Sequence, residues 1–308
     1  MAARTEVQVD VEGKRLTLSN MQKVLYPEVG FTKGQVIDYY TRISPVLLPH
    51  LAGRPLTMKR YPDGVDGPFF FEKNCPKHRP SWVKTLPVWS KDNNRDIDYC
   101  VVDGLPTLVW AANLADLELH TTMHKAKSVD RPDMVVFDLD PGAPADIVAC
   151  SRVGLLLREL FADMGLECFP KSSGSKGLQV YIPLNSPRVS YDEGSTPFAK
   201  AVAVRMEKDH PDLVVSKQKK ELRVGKVLVD WSQNVSAKTT ICVYSLRARP
   251  LPTASTPVTW DEVADCAESG DPLTLRFTSD EVLARVEEHG DLMAPCLTLK
   301  QKLPKTLP

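Results

Sequence analysis

The chain has 308 residues, 43% of them hydrophobic and 25% charged, which is ordinary for a globular protein able to bury a full core. Lys plus Arg number 39 and Asp plus Glu number 39, so the formal net charge is zero and any anion-binding surface must be local. No apolar run of about 18 residues is present to span a bilayer, so no membrane is expected as a partner. The first dozen residues alternate in polarity and carry acids, unlike a secretory signal, and the cytoplasm is the expected location. Cysteines 75, 100, 150, 168, 242, 266 and 296 form no CxxC pair, and reduced, mostly buried thiols are expected.

In chain order, Thr32 and Gln35 make a capping-box pattern ahead of Val36, Ile37, Tyr40, Ile43 and Leu47, which predicts a helix over residues 33 to 50, interrupted near Pro45. Residues 134–137 form an apolar run that meets Asp138, Leu139 and Asp140 before Pro141-Gly142, the pattern of a strand ending in a turn. A helix follows over 145–164, stopped by Gly165. Residues 168–170 and 178–182 read as strands flanking a Ser-Gly-rich loop, Thr196-Pro197 opens a further helix, and 227–231 and 239–243 read as strands. A last helix is expected over 280–288. Strands and helices alternate without one long parallel series, which favours an α+β fold with two integrated lobes.

Asp138-Leu-Asp140 is the sharpest local feature, because residues two apart on an extended backbone point to one face. Oxygen-only ligands of this kind suit Mg²⁺ or Mn²⁺. Alone, such a pair is more often two solvated acids at a strand end, but Asp230 closes another apolar run. Three carboxylates from two strands are enough to hold two ions for an in-line phosphoryl displacement. Ser173-Gly-Ser-Lys-Gly177 has the hydroxyls, backbone N–H groups and cation of a phosphate cradle, though it is not a Walker A loop. Around Asp230 gather Lys217, Lys219, Lys220, Arg223, Lys226, Lys238, Arg247 and Arg249, which serve either as a phosphate-binding patch or as a solvated face. Lys59-Arg60 and Phe69-Phe-Phe71 offer cations beside aromatics, as a base-stacking platform would, and His120 is a candidate for a triphosphate or sugar contact. Cys75, His78, Cys100 and His124 assemble on paper into a zinc site without a second close ligand pair to support it.

Taken together, Val136-Phe-Asp-Leu-Asp-Pro-Gly142, Ser173-Gly-Ser-Lys-Gly177, Val229-Asp-Trp-Ser-Gln-Asn234, Lys238-Thr-Thr240 and Tyr244-Ser-Leu-Arg-Ala-Arg249 resemble the polymerase domain of bacterial ligase D, in the archaeo-eukaryotic primase superfamily. Lys23-Val-Leu-Tyr-Pro27, Gly53-Arg-Pro55, Lys59-Arg60 and Phe70-Phe-Glu-Lys73 extend the likeness over nearly the whole chain. The resemblance implies an RRM-like catalytic palm packed with a second α/β module, residues 13–297, between an N-terminal extension (1–12) and a loose tail (298–308). It implies a nucleotidyltransferase that extends primers and fills short gaps at broken DNA ends during non-homologous end joining, preferring ribonucleotides to deoxyribonucleotides and using two Mn²⁺ or Mg²⁺ ions. Asp138, Asp140 and Asp230 match its metal-binding acids. Lys59, His120, Ser173, Ser175, Lys176, Arg223, Arg247 and Arg249 match positions around the nucleoside triphosphate. Lys23 and Lys33 match lysines holding a downstream 5′-phosphate, and Phe70 and Phe71 match an aromatic pair near the template, beside Arg60 as a further DNA contact. Ku and a DNA ligase are the implied partners, at breaks in the nucleoid. Where many relatives carry His after Gly-Leu, this chain has Gln179, which cannot be a cation and implies modestly weaker triphosphate binding there or a different local role. The 308 residues hold no ligase or phosphoesterase sequence, which leaves a stand-alone polymerase and an excised domain both open. The rival readings are an end-binding module without catalysis and a DxD glycosyltransferase.

Overall fold

The computed structural model describes residues 5–90, 93–186, 188–304 and 307. The chain forms two compact units: Met1–Thr121 with Ile241–Ala254 and Phe277–Gly290, and Thr122–Thr240 with Ser255–Arg276 and Asp291–Pro308. Each unit is built from separated stretches of chain, which is why no linker composition marks a boundary in the sequence.

The first unit begins with a hairpin, β1 (Glu6–Val11) and β2 (Lys14–Ser19), paired along its full length. Residues 6–11, within the expected N-terminal extension, form one strand of this hairpin. After β3 (Val24–Tyr26) and β4 (Phe31–Thr32), the capping box of Thr32 and Gln35 opens α1 (Lys33–Leu51). This helix is not interrupted at Pro45. Proline cannot donate to the carbonyl four residues back, that of Thr41, and the Ser44 hydroxyl bonds that carbonyl instead at 2.8 Å. The buried stripe of Val36, Ile37, Tyr40, Ile43 and Leu47 then holds the helix together past the defect. Strand β5 (Pro55–Arg60) pairs antiparallel with β6 (Phe70–Glu72), β8 (Arg95–Val101) and β9 (Asp116–Thr121), while β7 (Thr85–Ser90) pairs with β8. Helix α2 (Leu105–Asn113) connects β8 to β9. Cys75 and Cys100 form a disulfide, against the expectation of reduced thiols throughout, and the other five cysteines are buried and outside any disulfide. The bridge also removes the imagined zinc site, since neither sulfur is left as a thiolate.

In the second unit, β10 (Met134–Pro141) is followed by α3 (Ile147–Asp163), β11 (Phe169–Ser172), β12 (Leu178–Pro183), α4 (Thr196–Asp209), β13 (Val214–Val215) and β14 (Val227–Asp230). The sheet order is β11-β12-β10-β14-β13, antiparallel except for β13 with β14. The fold is α+β. One face of β10 carries Val135, Phe137 and Leu139, all fully buried. The Phe137 ring packs 5.2 Å from Phe161 of α3 and 6.4 Å from Phe198 of α4. The chain then returns through β15 (Thr240–Ile241), shorter than the strand expected there, which joins the first unit's sheet beside β9. Helices α5 (Trp260–Ser269), α6 (Ser279–His289) and α7 (Pro295–Thr298) complete the chain. The tail is not loose at Gln301, whose side chain donates to the carbonyls of Glu167 and Pro183 at 2.9 and 3.1 Å.

Because Phe137 joins β10 to two helices, Phe137→Ala is expected to cost about 3–5 kcal/mol. Chemical denaturation of the variant checks this; an unchanged midpoint would refute the packing role.

Candidate active site

With the apolar residues of β10 turned to the helices, Asp138 and Asp140 share the other face of the sheet. Asp138 lies directly opposite Asp230 on β14 and opposite Gln179 on β12, and Gln179 lies opposite Lys171 on β11. Antiparallel partners project to the same side, so the register draws a row across four strands: Lys171, Gln179, Asp138, Asp230. Asp138 is half-buried, Asp140 exposed and Asp230 buried. Asp230 accepts from the Ser232 N–H at 2.8 Å and from Gln233 Nε2 at 3.4 Å. Burial first, and then the charge of Asp140, push the Asp138 carboxyl up to about 7, with Asp230 adding to the rise and Gln179 and Lys171 opposing it.

The donor set therefore fits a hard cation: all oxygen, mutually repelling, and short of positive charge. Among the described residues no three His, Cys, Asp or Glu side chains close into a ready-made cage. An ion held here must complete its coordination with water or substrate oxygens, as Mg²⁺ and Mn²⁺ commonly do.

The Ser-Gly loop is clamped against this strand. Ser173 N donates to the Gly177 carbonyl at 2.9 Å, and the Ser173 hydroxyl accepts from the N–H groups of Ser175 and Gly177 at 3.3 and 3.1 Å. A Cβ on Gly177 would lie 2.1 Å from the Leu139 carbonyl oxygen, and one on Gly142 would lie 1.9 Å from that of Arg223. Glycine at both positions lets the phosphate-type loop and the Arg223 segment touch the backbone that carries the acids. Lys176 is exposed, and a cavity of about 360 Å³ is lined by Ser175 and Lys176 together with Asp146, Leu273 and Arg276. Arg223 donates to the backbone and side chain of Gln218 at 2.7 and 3.0 Å. Lys217, Lys219 and Lys220 lie on the exposed surface. Gln179 is buried and spends its amide on Thr240 at 2.9 Å and on Asp138, a local role within the acid row.

The first unit carries its own charged constellation. Lys59 on β5 is opposite Phe71 on β6 and Glu118 on β9, so these three share a face, and His120 follows two residues after Glu118 on the same side. Glu118 is the hub. One carboxylate oxygen meets Lys59 Nζ and His120 Nε2, each at 3.1 Å; the other meets Arg247 Nε at 3.3 Å and the Ala248 N–H at 3.1 Å. Burial alone would raise the Glu118 carboxyl, but the His120 hydrogen bond and the charges of Arg247 and Lys59 outweigh it and hold the group well below the ordinary range. Burial likewise pushes the His120 imidazole down, against the pull of Glu118. Phe69, Phe70 and Phe71 are exposed, with Lys59 Nζ 4.5 Å from the Phe69 ring centre and the Phe71 ring 5.8 Å from His120. Arg60 is used internally, pairing with Glu72 at 2.6 Å and lying over Phe70 at 5.1 Å. Arg249 is exposed. Lys23 and Lys33 meet through a backbone bond of 2.8 Å, but they differ: Lys23 pairs with Asp63 at the surface, whereas Lys33 is buried and donates to the Ser19 carbonyl at 2.6 Å.

Two residues of these constellations escaped the sequence reading. The alternation Asp116-Leu-Glu118-Leu-His120 carries the signal for Glu118. Nothing in the sequence marks Lys171, because burial of a lysine beside a loop is a tertiary fact.

Removing the Glu118 charge leaves the Lys59 and Arg247 cations facing each other across a neutral amide, so Glu118→Gln is expected to destabilise the protein by about 1.5–3 kcal/mol at neutral pH. A carboxyl held below its ordinary value of 4.5 stabilises the fold above that pH and loses the contribution as pH falls below it. The gap between wild type and variant should therefore narrow below about pH 4.5 in denaturation measured across pH; a gap that widens would contradict the hub role.

Residues 32–293 match the family described as LigD, primase-polymerase domain. The chain is 42% identical over 284 residues to the multifunctional non-homologous end joining protein LigD of Mycolicibacterium smegmatis, covering 92% of this chain and 36% of that protein. It is 31% identical over 276 residues to the bifunctional non-homologous end joining protein LigD of Bacillus subtilis, covering 90% of this chain and 43% of that one. The chain thus spans well under half the length of these relatives. The solved polymerase domain from Mycobacterium tuberculosis ligase D, in complex with DNA, superposes with a TM-score of 0.84 at 42% identity, covering 93% of this chain and 99% of that one.

Proposed function

Because the chain belongs to the LigD primase-polymerase domain family, a family of nucleotidyltransferases, we propose that it extends primers and fills short gaps at DNA double-strand breaks during non-homologous end joining. The observation that carries this reading is the cross-strand row that sets Asp138 opposite Asp230, with Asp140 on the same face and the Ser-Gly loop clamped against their strand. Asp138, Asp140 and Asp230 hold two divalent ions, Mn²⁺ or Mg²⁺. When bound, such ions supply an activated primer 3′-hydroxyl and stabilisation of the departing pyrophosphate.

The protein's own groups do the rest. Ser173, Ser175 and Lys176 bind the incoming nucleotide's phosphates, with Arg223 beside the acid strand. In the first unit Lys59, His120, Arg247 and Arg249 are nucleotide-binding groups, and Glu118 offsets the charges of Lys59 and Arg247 while it bonds His120. Phe70 and Phe71, exposed on one short strand, stack against template bases, with Arg60 fixing their orientation through Glu72 and Phe70. Lys23, at the surface, grips the downstream 5′-phosphate, and buried Lys33 fixes the turn beside it. Gln179 supports Asp138 and Thr240, so the nucleotide gains no cation at that position. The substrates are nucleoside triphosphates, ribonucleotides ahead of deoxyribonucleotides, and DNA with 5′-phosphorylated ends or gaps. Ku and a DNA ligase are the partners, in the cytoplasm at breaks in the nucleoid. No helix among the described residues is long and apolar enough to cross a membrane.

Primer extension on a gapped duplex tests the reading, with NTPs against dNTPs and Mn²⁺ against Mg²⁺. Asp138→Ala should lower extension by at least about 100-fold, given the several kcal/mol that bound metal contributes to such reactions. Wild type and Asp138→Ala proving equally inactive, while both bind DNA, would sink the polymerase assignment. Lys23→Ala should weaken binding to 5′-phosphorylated ends and leave unphosphorylated ends unaffected; equal loss on both would argue against a phosphate pocket.

A further inference from the structure

Lys171 ends no charged patch and touches no solvent: it is wholly buried, five residues before the exposed Lys176. Burying an ammonium is costly unless it is bonded and balanced by negative charge. Its Nζ donates to the Ser255 hydroxyl at 2.5 Å and lies 5.4 Å from the centre of the Tyr181 ring. Ser255 in turn donates to the Ser172 carbonyl at 3.1 Å, at the base of the phosphate-type loop. Ser255 and Tyr181 fix the ammonium in position. The acids of its own sheet face are Asp138, Asp140 and Asp230, reached through the register row Lys171, Gln179, Asp138, Asp230. Neighbouring strands are about 4.8 Å apart, so the Lys171 and Asp138 backbones are separated by about 10 Å, and the lysine side chain spans part of that gap. Its charge draws the Asp138 carboxyl down, against burial and the neighbouring acids.

We infer that Lys171 is a positioning charge, a buried cation that offsets the repulsion among the three acids and sets how tightly their face binds divalent cations. It acts through Asp138 and never meets substrate. The inference rests on the metal-binding reading of the acids. Without Lys171 the face gains a full unit of negative charge, and attraction between unlike charges across about 10 Å of protein remains large enough to change ion affinity by about tenfold or more.

The experiment follows thermal unfolding of the full chain against Mn²⁺ concentration, with neither nucleotide nor DNA, for wild type, Lys171→Met and Lys171→Arg. Lys171→Met should be less stable without metal, bind Mn²⁺ about tenfold tighter or more, and recover stability as Mn²⁺ is added. Lys171→Arg keeps the charge and should stay within about threefold of wild type in Mn²⁺ affinity, although it disturbs packing; a purely structural lysine would make the two variants alike. If Lys171→Met is unfolded without metal, Mn²⁺ should restore its fold, and failure to recover at saturating Mn²⁺ overturns the inference. Equal Mn²⁺ affinity in Lys171→Met and wild type overturns it while leaving the metal reading intact. A wild type that Mn²⁺ does not stabilise, behaving like Asp138→Ala, removes the metal reading and this inference with it.

Discussion

Direct opposition of Asp138 and Asp230 across two antiparallel strands sets like charges side by side, a pairing that destabilises a sheet unless something stronger holds the register. The stronger element lies on the reverse face. Leu139 is opposite Val229 and, like Val135 and Phe137, fully buried, so slipping β14 by one residue would turn its carboxylate into the core and its valines outward. Hydrophobic packing behind the sheet thus forces the acids together in front of it. The acids repel one another because the core is satisfied, and their all-oxygen face fits a divalent cation.

The two units solve opposite problems with the same geometry. In the second, anions crowd one sheet face around a buried cation, Lys171. In the first, Lys59, His120 and Arg247 crowd around a buried anion, Glu118. In both, the register of antiparallel strands chooses most of the neighbours, and in both a buried opposite charge lets the crowding persist. Close backbone approach is the other shared requirement of the second unit: without glycine at 142 and 177, neither the Arg223 segment nor the Ser-Gly loop could reach the acid strand. A neutral chain can carry strong local fields when its charges are sorted in this way, so a net charge of zero is no argument against a nucleic-acid enzyme.

Much of this was legible in one dimension. The period-two spacing of Asp138 and Asp140, the apolar run before Asp230, the capping box at Thr32 and the Ser-Gly loop each carry their meaning within a few residues, because strand alternation, helix capping and tight turns are local physics. Motif order and spacing were enough to identify the family. The sequence alone thus determined the α+β character, the three acids and the loop beside them. Tertiary structure decided what depends on burial and register between distant segments. It made Glu118 a hub, hid Lys171 and Lys33 from solvent, gave Gln179 to Thr240 and Asp138, joined Cys75 to Cys100, and carried α1 through Pro45 on a serine hydroxyl. None of these could be read along the chain, since each depends on which atoms remain near water and which partners lie across a strand, and only the folded packing sets those.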